Sequence, residues 1–294
     1  MSDIWTNVDA PETYPKVSVT ELKSLLRCTR QHNYAYRQGL VPTVTPDYFT
    51  KGKFLHKLQE AFWTSLKDGG PLTADETIDV VLYQAKDSSD PLPDTETLSE
   101  VIAVFRAWHK ETLPLSYEYE VLAVEQEFLI DIELSQTLSD SGLQIPVLLH
   151  GIIDLLVRDA EGNLWVVDHK TAGRAWSAGN FIFDFQSRLY ARAVETYLLE
   201  APAGAMFQFF YPKRFETRLL HFDSVEIDGF VQEVQNALLL REDLSIIRQP
   251  HWGCNDCRFK ALCHAELCGV DSEYVRHEQF TVDQDKVDRF TEEA

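Results

Sequence analysis

Asp168 and Lys170 stand two positions apart in the run LWVVDHKTAG, residues 164–173. Strand side chains alternate between faces, so an apolar run of this kind presents the acid and the lysine on one side and His169 on the other. A second acid, Asp154, closes the run HGIID one apolar segment earlier. If a hairpin joins the two segments, both carboxylates reach one sheet edge, where they repel unless a cation lies between them. Carboxylate oxygens are hard ligands that suit Mg²⁺ or Mn²⁺, ions that keep positions open for water and phosphate. Such an ion polarises a phosphate, lowers the pKa of its bound water and offsets transition-state charge, while an adjacent ammonium, Lys170, orients water or stabilises the phosphate. The chemistry expected is phosphodiester hydrolysis; the plainer meaning of Asp168 and Lys170 is a surface ion pair.

A second group of residues is Cys254, Cys257 and Cys263, spaced C-x2-C-x5-C, with Cys28 far upstream. Neighbouring thiolates are costly unless a soft cation binds them. Zinc and an iron–sulfur cubane both accept four cysteines, and spacing does not choose between them. Cys268 falls outside the pattern and reads as a free thiol.

These groups need elements to position them. The stretch VSVTELKSLLRCTRQHNYAYRQGL opens with Ser18 or Thr20 as N-cap and predicts a helix that holds Cys28. A helix over 50–67 aligns Phe54, Leu58 and Phe62, with His56 and Glu60 on its other side. Residues 84–97 are polar with two prolines, predicting a surface connection before a helix over 97–112. From residue 118 the period changes: YEVLAVEQEFLIDIEL, VLLHGIIDLLVRD and NLWVVDHKT read as three strands, the last two joined at Ala160–Asn163 as a hairpin. A helix over 182–199, strands at 205–211 and 217–222, and a helix over 226–243 follow. The class is α/β, a mixed central sheet flanked by helices with a helical N-terminal part.

In order, the chain presents Gly52 to His56 as G-x-x-x-H, Gly151 to Asp154 as G-x-x-D, Asp168 to Lys170 as D-x-K and Gln186 to Tyr190 as Q-x-x-x-Y. In these motifs it resembles the PD-(D/E)XK nucleases, in particular their RecB-like branch. The resemblance implies a restriction-endonuclease-like fold, metal binding by His56, Asp154, Asp168 and the backbone carbonyl of His169, and a catalytic role for Lys170. It also aims Gln186 and Tyr190, one helical turn apart, at the active site to position a phosphate or base. An imidazole ligand favours Mn²⁺ somewhat over Mg²⁺. Glu60, Glu125 and Glu127 are weaker candidates for polar contacts near the metal. One cysteine before the core and three after it is similar to the pattern of the CRISPR-associated RecB-type exonucleases and the AddB nuclease domain, although Thr29 stands where a proline commonly follows the first cysteine. That similarity implies a structural [4Fe–4S] cluster on Cys28, Cys254, Cys257 and Cys263 that pins the two chain ends together, with Zn²⁺ as the alternative. The domain reading is an extension over 1–17, a RecB-like nuclease domain over 18–268 closed by the cluster, with a helical region at 50–113, and an acidic tail over 269–294.

Composition sets bounds on this reading. With 27 Lys+Arg against 47 Asp+Glu, the net charge of −20 argues against broad electrostatic attachment to nucleic acid or anionic membranes. A polyanion must then be gripped locally, with Arg27, Arg30, Arg37, Lys213, Arg214, Arg258 and Lys260 as candidate phosphate contacts. Tyr34, Tyr36 and Phe259 are stacking candidates whose more ordinary fate is burial. The N-terminal MSDIWTNVDAPETYPK lacks the apolar core of a signal peptide, and no stretch approaches the ~20 apolar residues of a membrane span, so a cytoplasmic location is expected. Residues 271–294, with eight acids and three bases, read as a solvated segment, or else a surface for a protein partner. The function expected is a Mg²⁺- or Mn²⁺-dependent exonuclease acting on single-stranded DNA or DNA ends. The competing readings are a noncatalytic DNA-binding adaptor of the same fold and a zinc-stabilised protein-interaction module.

Overall fold

A computed structural model describes residues 4–6, 16–44, 47–86, 88, 92–132, 147–172, 184–211, 214–242 and 247–292. In chain order the elements are β1 Trp5–Thr6, β2 Lys16–Ser18, α1 Val19–Arg27, α2 Thr29–His32 with a π-helical turn Asn33–Arg37, β3 Leu40–Pro42, α3 Asp47–Lys67, α4 Ala74–Ala85 and α5 Thr95–Ser116. Then come β4 Glu120–Ile132, β5 Val147–Arg158, β6 Leu164–Thr171, α6 Phe185–Leu198, β7 Gly204–Tyr211, β8 Arg214–His221 and α7 Ser224–Glu242. A 3₁₀ turn Trp252–Asp256, α8 Lys260–Cys268, α9 Ser272–Gln279, β9 Phe280–Val282 and α10 Gln284–Glu292 complete the chain. Two compact units are formed: residues 1–9, 46–130 and 150–231 make the first, residues 10–45, 131–149 and 232–294 the second. None of the described helices is long and apolar enough to cross a membrane.

In the first unit the strands run in the order β1-β4-β5-β6-β7-β8. The sheet is mixed: β5 and β6 are antiparallel, β6 and β7 parallel, and β7 and β8 antiparallel. The expected hairpin joins β5 to β6, registering Arg158 with Leu164 and Leu155 with Val167. Its turn is closed by Asp159, whose carboxylate accepts from Asn163 N at 2.8 Å, and by Gly162 at φ +90°. A parallel neighbour needs a crossover, and α6 supplies it between β6 and β7. Trp165 and Val167 pack with Phe62, Trp63, Phe105 and Trp108 of α3 and α5, while Phe207, Phe209 and Tyr211 pack with Ala191 and Ile227 of α6 and α7. Helices thus cover both faces of the sheet.

The connection expected over 84–97 is shorter than its composition suggests. Helix α4 runs to Ala85, started by a capping box in which Thr73 and Glu76 bond reciprocally, and α5 starts at Thr95 under an Asp94 cap. Residues 87 and 89–91 lie outside the described residues. The same holds for residues 182–183 and 243, at the ends of two expected helices, and for most of the N-terminal extension.

In the second unit, Ser18 is the N-cap of α1, its hydroxyl accepting from Glu21 N at 3.0 Å. The helix expected to hold Cys28 stops before it: Cys28 is extended, at φ −163° and ψ 113°, between α1 and α2. The segment expected to be solvated over 271–294 is mostly exposed in its described part and carries regular structure, as α9, β9 and α10. Strand β9 pairs antiparallel with β3, Leu40 opposite Val282, and Phe280 is buried with Tyr34, Leu40, Phe259 and Leu262. Gly39 permits this seam, because at φ +60° a Cβ there would lie 2.5 Å from the Asp283 carbonyl oxygen.

Candidate active site

The acidic centre lies in the first unit, built from α3, β4, β5, β6 and α6. Gly52 and His56 are one turn apart on α3 and so share a face. A Cβ at Gly52 would sit 3.1 Å from Thr171 Oγ1, so glycine lets the helix lie close against β6. His56 then reaches that strand, its Nε2 lying 2.9 Å from the His169 carbonyl oxygen. Its Nδ1 is 3.8 Å from Asp154 Oδ2.

Gly151 of G-x-x-D has a different task. A Cβ there would fall 2.6 Å from Phe128 Cζ and 3.3 Å from Tyr190 Cε1. The missing side chain makes room for those two rings, which meet edge to face with centroids 5.7 Å apart. This packing ties the G-x-x-D strand to the Q-x-x-x-Y helix. Beyond the Leu155 and Val167 pair, the Asp154 carboxylate takes over from the ladder, accepting from His169 N at 2.8 Å.

Asp168 and Lys170 share the opposite face from His169, as alternation requires. Lys170 Nζ lies 2.5 Å from Asp168 Oδ2 and donates to Gln186 Oε1 at 3.2 Å. Gln186 Nε2 in turn donates to Tyr190 Oη at 2.8 Å. Helix α6, which carries both, is started by Asp184, whose carboxylate accepts from Ser187 N at 2.8 Å. The motifs D-x-K and Q-x-x-x-Y therefore form one hydrogen-bonded line.

A set of three groups able to hold a cation is present among the described residues: His56, Glu125 and Asp154 each offer a ligand atom, all within 4.8 Å of one another. Asp168 and the His169 carbonyl, the other two expected ligands, flank this set, one paired with Lys170 and the other with His56. Glu125, only a weak expectation from sequence, is brought in by backbone geometry. It sits at φ +45° inside β4, a left-handed residue that breaks the strand's alternation and re-aims its side chain. Glu60 lies near His56, and burial raises its pKa. Glu127 joins no such set.

The electrostatics follow from crowding acids in a buried place. Burial, then Asp154 and Glu60, push the Glu125 carboxyl up to about 8. Burial also raises Asp168, with Lys170 opposing and Asp154 and Asp184 reinforcing it. For Lys170, burial favours the neutral amine, but Asp168, Asp184 and Asp154 outweigh it, so the pKa is raised and the ammonium stays charged. Burial lowers His169 to about 3, so its ring is neutral, and strand alternation turns that ring to the face opposite Asp168 and Lys170. Burial lifts Tyr190 well above the usual phenol range, keeping its proton in place. Carboxylates driven toward their neutral forms beside an imidazole suit a hard divalent cation, which would reverse the shift.

Residues 16–264 match the family model of the PD-(D/E)XK nuclease superfamily. The chain belongs to that superfamily. A search of curated proteins returned no match. Among solved structures, the one titled "Crystal structure of SSO0001" is similar over 88% of this chain and 89% of that chain, at 14% identity and a TM-score of 0.42. The mixed sheet flanked by helices is the restriction-endonuclease-like architecture of PD-(D/E)XK proteins, and membership makes this chain a nuclease by class, with nucleic acid as its partner.

This PD-(D/E)XK chain carries its cysteines in the second unit. Cys28, Cys254, Cys257 and Cys263 line one cavity of about 200 Å³, together with Arg30, Arg248 and Lys260. Among the described residues no three thiols come within 4.8 Å of one another, unlike the acidic set of the first unit. The Cys257 thiol is pushed up by burial and further by Cys28, Cys254 and Cys263. Cys268 is exposed, its sulfur 3.4 Å from His264 Nε2.

Of the bases expected to meet phosphate, Arg30 is paired with Glu266, Arg258 lies over Phe259, and Arg214 lies over Tyr211 in the first unit. Lys213 is outside the described residues. Tyr34 and Phe259 are buried, so packing rather than base stacking is their role.

Proposed function

We propose that this PD-(D/E)XK protein is a divalent-cation-dependent deoxyribonuclease that digests single-stranded DNA or DNA from its ends. The observation that carries the reading is the gathering of His56, Glu125 and Asp154 beside the buried Asp168–Lys170 pair. His56, Asp154, Asp168 and the His169 carbonyl, with Glu125 added, are the groups to hold Mg²⁺ or Mn²⁺. When bound, such an ion supplies charge neutralisation on the phosphate and a water of lowered pKa.

The remaining steps belong to the chain's own residues. Lys170, held protonated, acts as a positive charge toward the scissile phosphate and not as a general base. Gln186 fixes the ammonium by accepting from it. Tyr190 accepts from Gln186 and keeps its own proton to donate to a phosphate oxygen. Cys28, Cys254, Cys257 and Cys263 of the second unit we assign to a structural [4Fe–4S] cluster. The support is their common cavity and the surrounding bases, which suit an anionic cluster.

End-labelled linear DNA, single- and double-stranded, incubated with Mg²⁺ or Mn²⁺ beside a closed single-stranded circle, tests the first assignment. Cation-dependent shortening of the linear strand with the circle intact is expected. Equal cleavage of the circle would make the enzyme an endonuclease, and no cleavage with any cation would make it an adaptor. Iron and acid-labile sulfide in anaerobically purified protein test the second assignment, and stoichiometric zinc in their place would overturn it.

A further inference from the structure

Helix α3 carries His56 to the candidate active site, and the phase of its residues sorts them by side. At about 3.6 residues per turn, Phe49, Gly52, Lys53 and His56 fall on one side of the helix, and the buried Phe54, Leu58 and Phe62 fall on the other. Phe49 is thus an aromatic on the polar side. It is 51% exposed, whereas every other described phenylalanine of the first unit is buried or half-buried.

A single exposed apolar side chain is ordinary; its place here is not. Phe49 and His56 share a phase two turns apart, about 10 Å along the helix axis. Between them lies Gly52, where α3 meets the end of β6 beside Thr171. The His56 side chain is 34% exposed, so the acidic centre is open to solvent at this residue. Lys53 Nζ lies 5.5 Å from the centroid of the Phe49 ring and takes one of its faces. In a chain of net charge −20, this ring and this ammonium stand together beside the acidic centre. They supply what an unpaired nucleotide needs, a surface for its base and a positive charge for its phosphate.

We infer that the outer face of Phe49 is the stacking platform for one unpaired base of the DNA strand, with Lys53 attracting the adjoining phosphate. The inference rests on the nuclease reading above and adds a strand preference to it. A base in a duplex must give up its pairing and stacking before it can lie on the ring, whereas an unpaired base does so without that cost. Every base has a π-face, so the platform favours single strands and open ends without selecting sequence.

The test follows cleavage of a labelled single strand by the full-length protein with Mg²⁺ or Mn²⁺, and of the same strand carrying one abasic nucleotide moved position by position from the end. In the wild type, KM should rise about tenfold when the abasic nucleotide falls at one position, the loss of one stacked base. Phe49→Ala should raise KM about tenfold on the intact strand, with kcat within about threefold and circular dichroism unchanged. It should also lose its response to the abasic nucleotide at that position, because ring and base act as a pair. Phe49→Trp should restore tight binding. Lys53→Ala should lessen the slope of log KM against log salt by about 0.7, and an unchanged slope would take Lys53 off the phosphate. Phe49→Ala with the KM of the wild type, or with the full abasic penalty, overturns the inference and leaves the nuclease reading in place. A wild type that cleaves no DNA overturns the nuclease reading itself, and this inference with it.

Discussion

The two units solve the same problem, gathering groups that repel one another, in opposite ways. In the first, one helix and adjacent strands hold His56, Glu125 and Asp154 within 4.8 Å of each other by backbone hydrogen bonding and close helix packing. In the second, Cys28 comes from a break between two short helices and the other three thiols from a 3₁₀ turn and α8. They share a cavity, and among the described residues no three of them gather as closely as ligands of a single ion. Ladder spacing fixes the acids in advance, whereas thiols on short irregular segments would depend on the proposed cluster to hold them together. The first site should therefore survive changes that dismantle the second.

The sharpest way to break this comparison is Lys170→Ala. If the ammonium acts only on the reacting phosphate, cleavage falls by a factor of about 1,000 or more in a labelled-strand assay. Iron content and circular dichroism should remain those of the wild type. Activity above a tenth of wild type would remove Lys170 from the reaction. The next largest effect is expected at Cys257→Ala, which should lose iron and lower Tm by about 5–10 °C, the signature of losing a structural metal. Manganese affinity at the acidic set, measured by calorimetry, should stay within a few-fold. An unchanged iron content would take Cys257 off the ligand set.

The same contrast explains what was legible in the sequence. Asp168 and Lys170 on one face, the hairpin at 160–163 and the helix face shared by Gln186 and Tyr190 follow from fixed periods, and the structure keeps them. Glu125 stood out no more than Glu60 or Glu127, because nothing in its residue type announces φ +45°, and that one left-handed residue undoes the alternation on which a strand reading rests. Helix α4 carries a capping-box signal at Thr73 and Glu76 but buries only Thr77, Ile78 and Val81, too sparse a stripe to stand out. In the C-terminal segment the buried Phe280 and the half-buried Val275 sit among acids, so its folding against β3 leaves no periodic trace. The order of the motifs along the chain says which groups meet; it does not say at what distance.

Glu125→Gln sharpens the comparison within the first unit. The folded carboxyl ionises near 8 and an ordinary one near 4.5, so between those values the folded protein keeps a proton that the unfolded chain has lost. Folding then takes up that proton, and this contribution to stability declines as pH rises from about 4.5 to about 8. A divalent cation replaces the proton, so stabilisation by Mn²⁺ should grow across the same window. In Glu125→Gln the metal-free protein should lose most of that slope in Tm against pH, and Mn²⁺ affinity should fall about tenfold. An unaltered slope would mean that the charge of Glu125 is already neutralised by other groups.

The smallest effect separates two jobs of one side chain. Asp184 caps α6 through Ser187 N and adds its charge to the field on Asp168 and Lys170. Asparagine caps a helix about as well as aspartate, whereas alanine does not, at a cost of about 1 kcal/mol or a few degrees in Tm. Asp184→Ala should therefore lower Tm, and Asp184→Asn should leave it nearly unchanged. Both remove a negative charge that raises Asp168 and Lys170, so both should shift the pH profile of cleavage toward lower pH. If only the alanine variant moves the profile, the cap and not the charge positions Gln186 against Lys170. The line from Asp168 to Tyr190 would then be tuned by helix geometry alone.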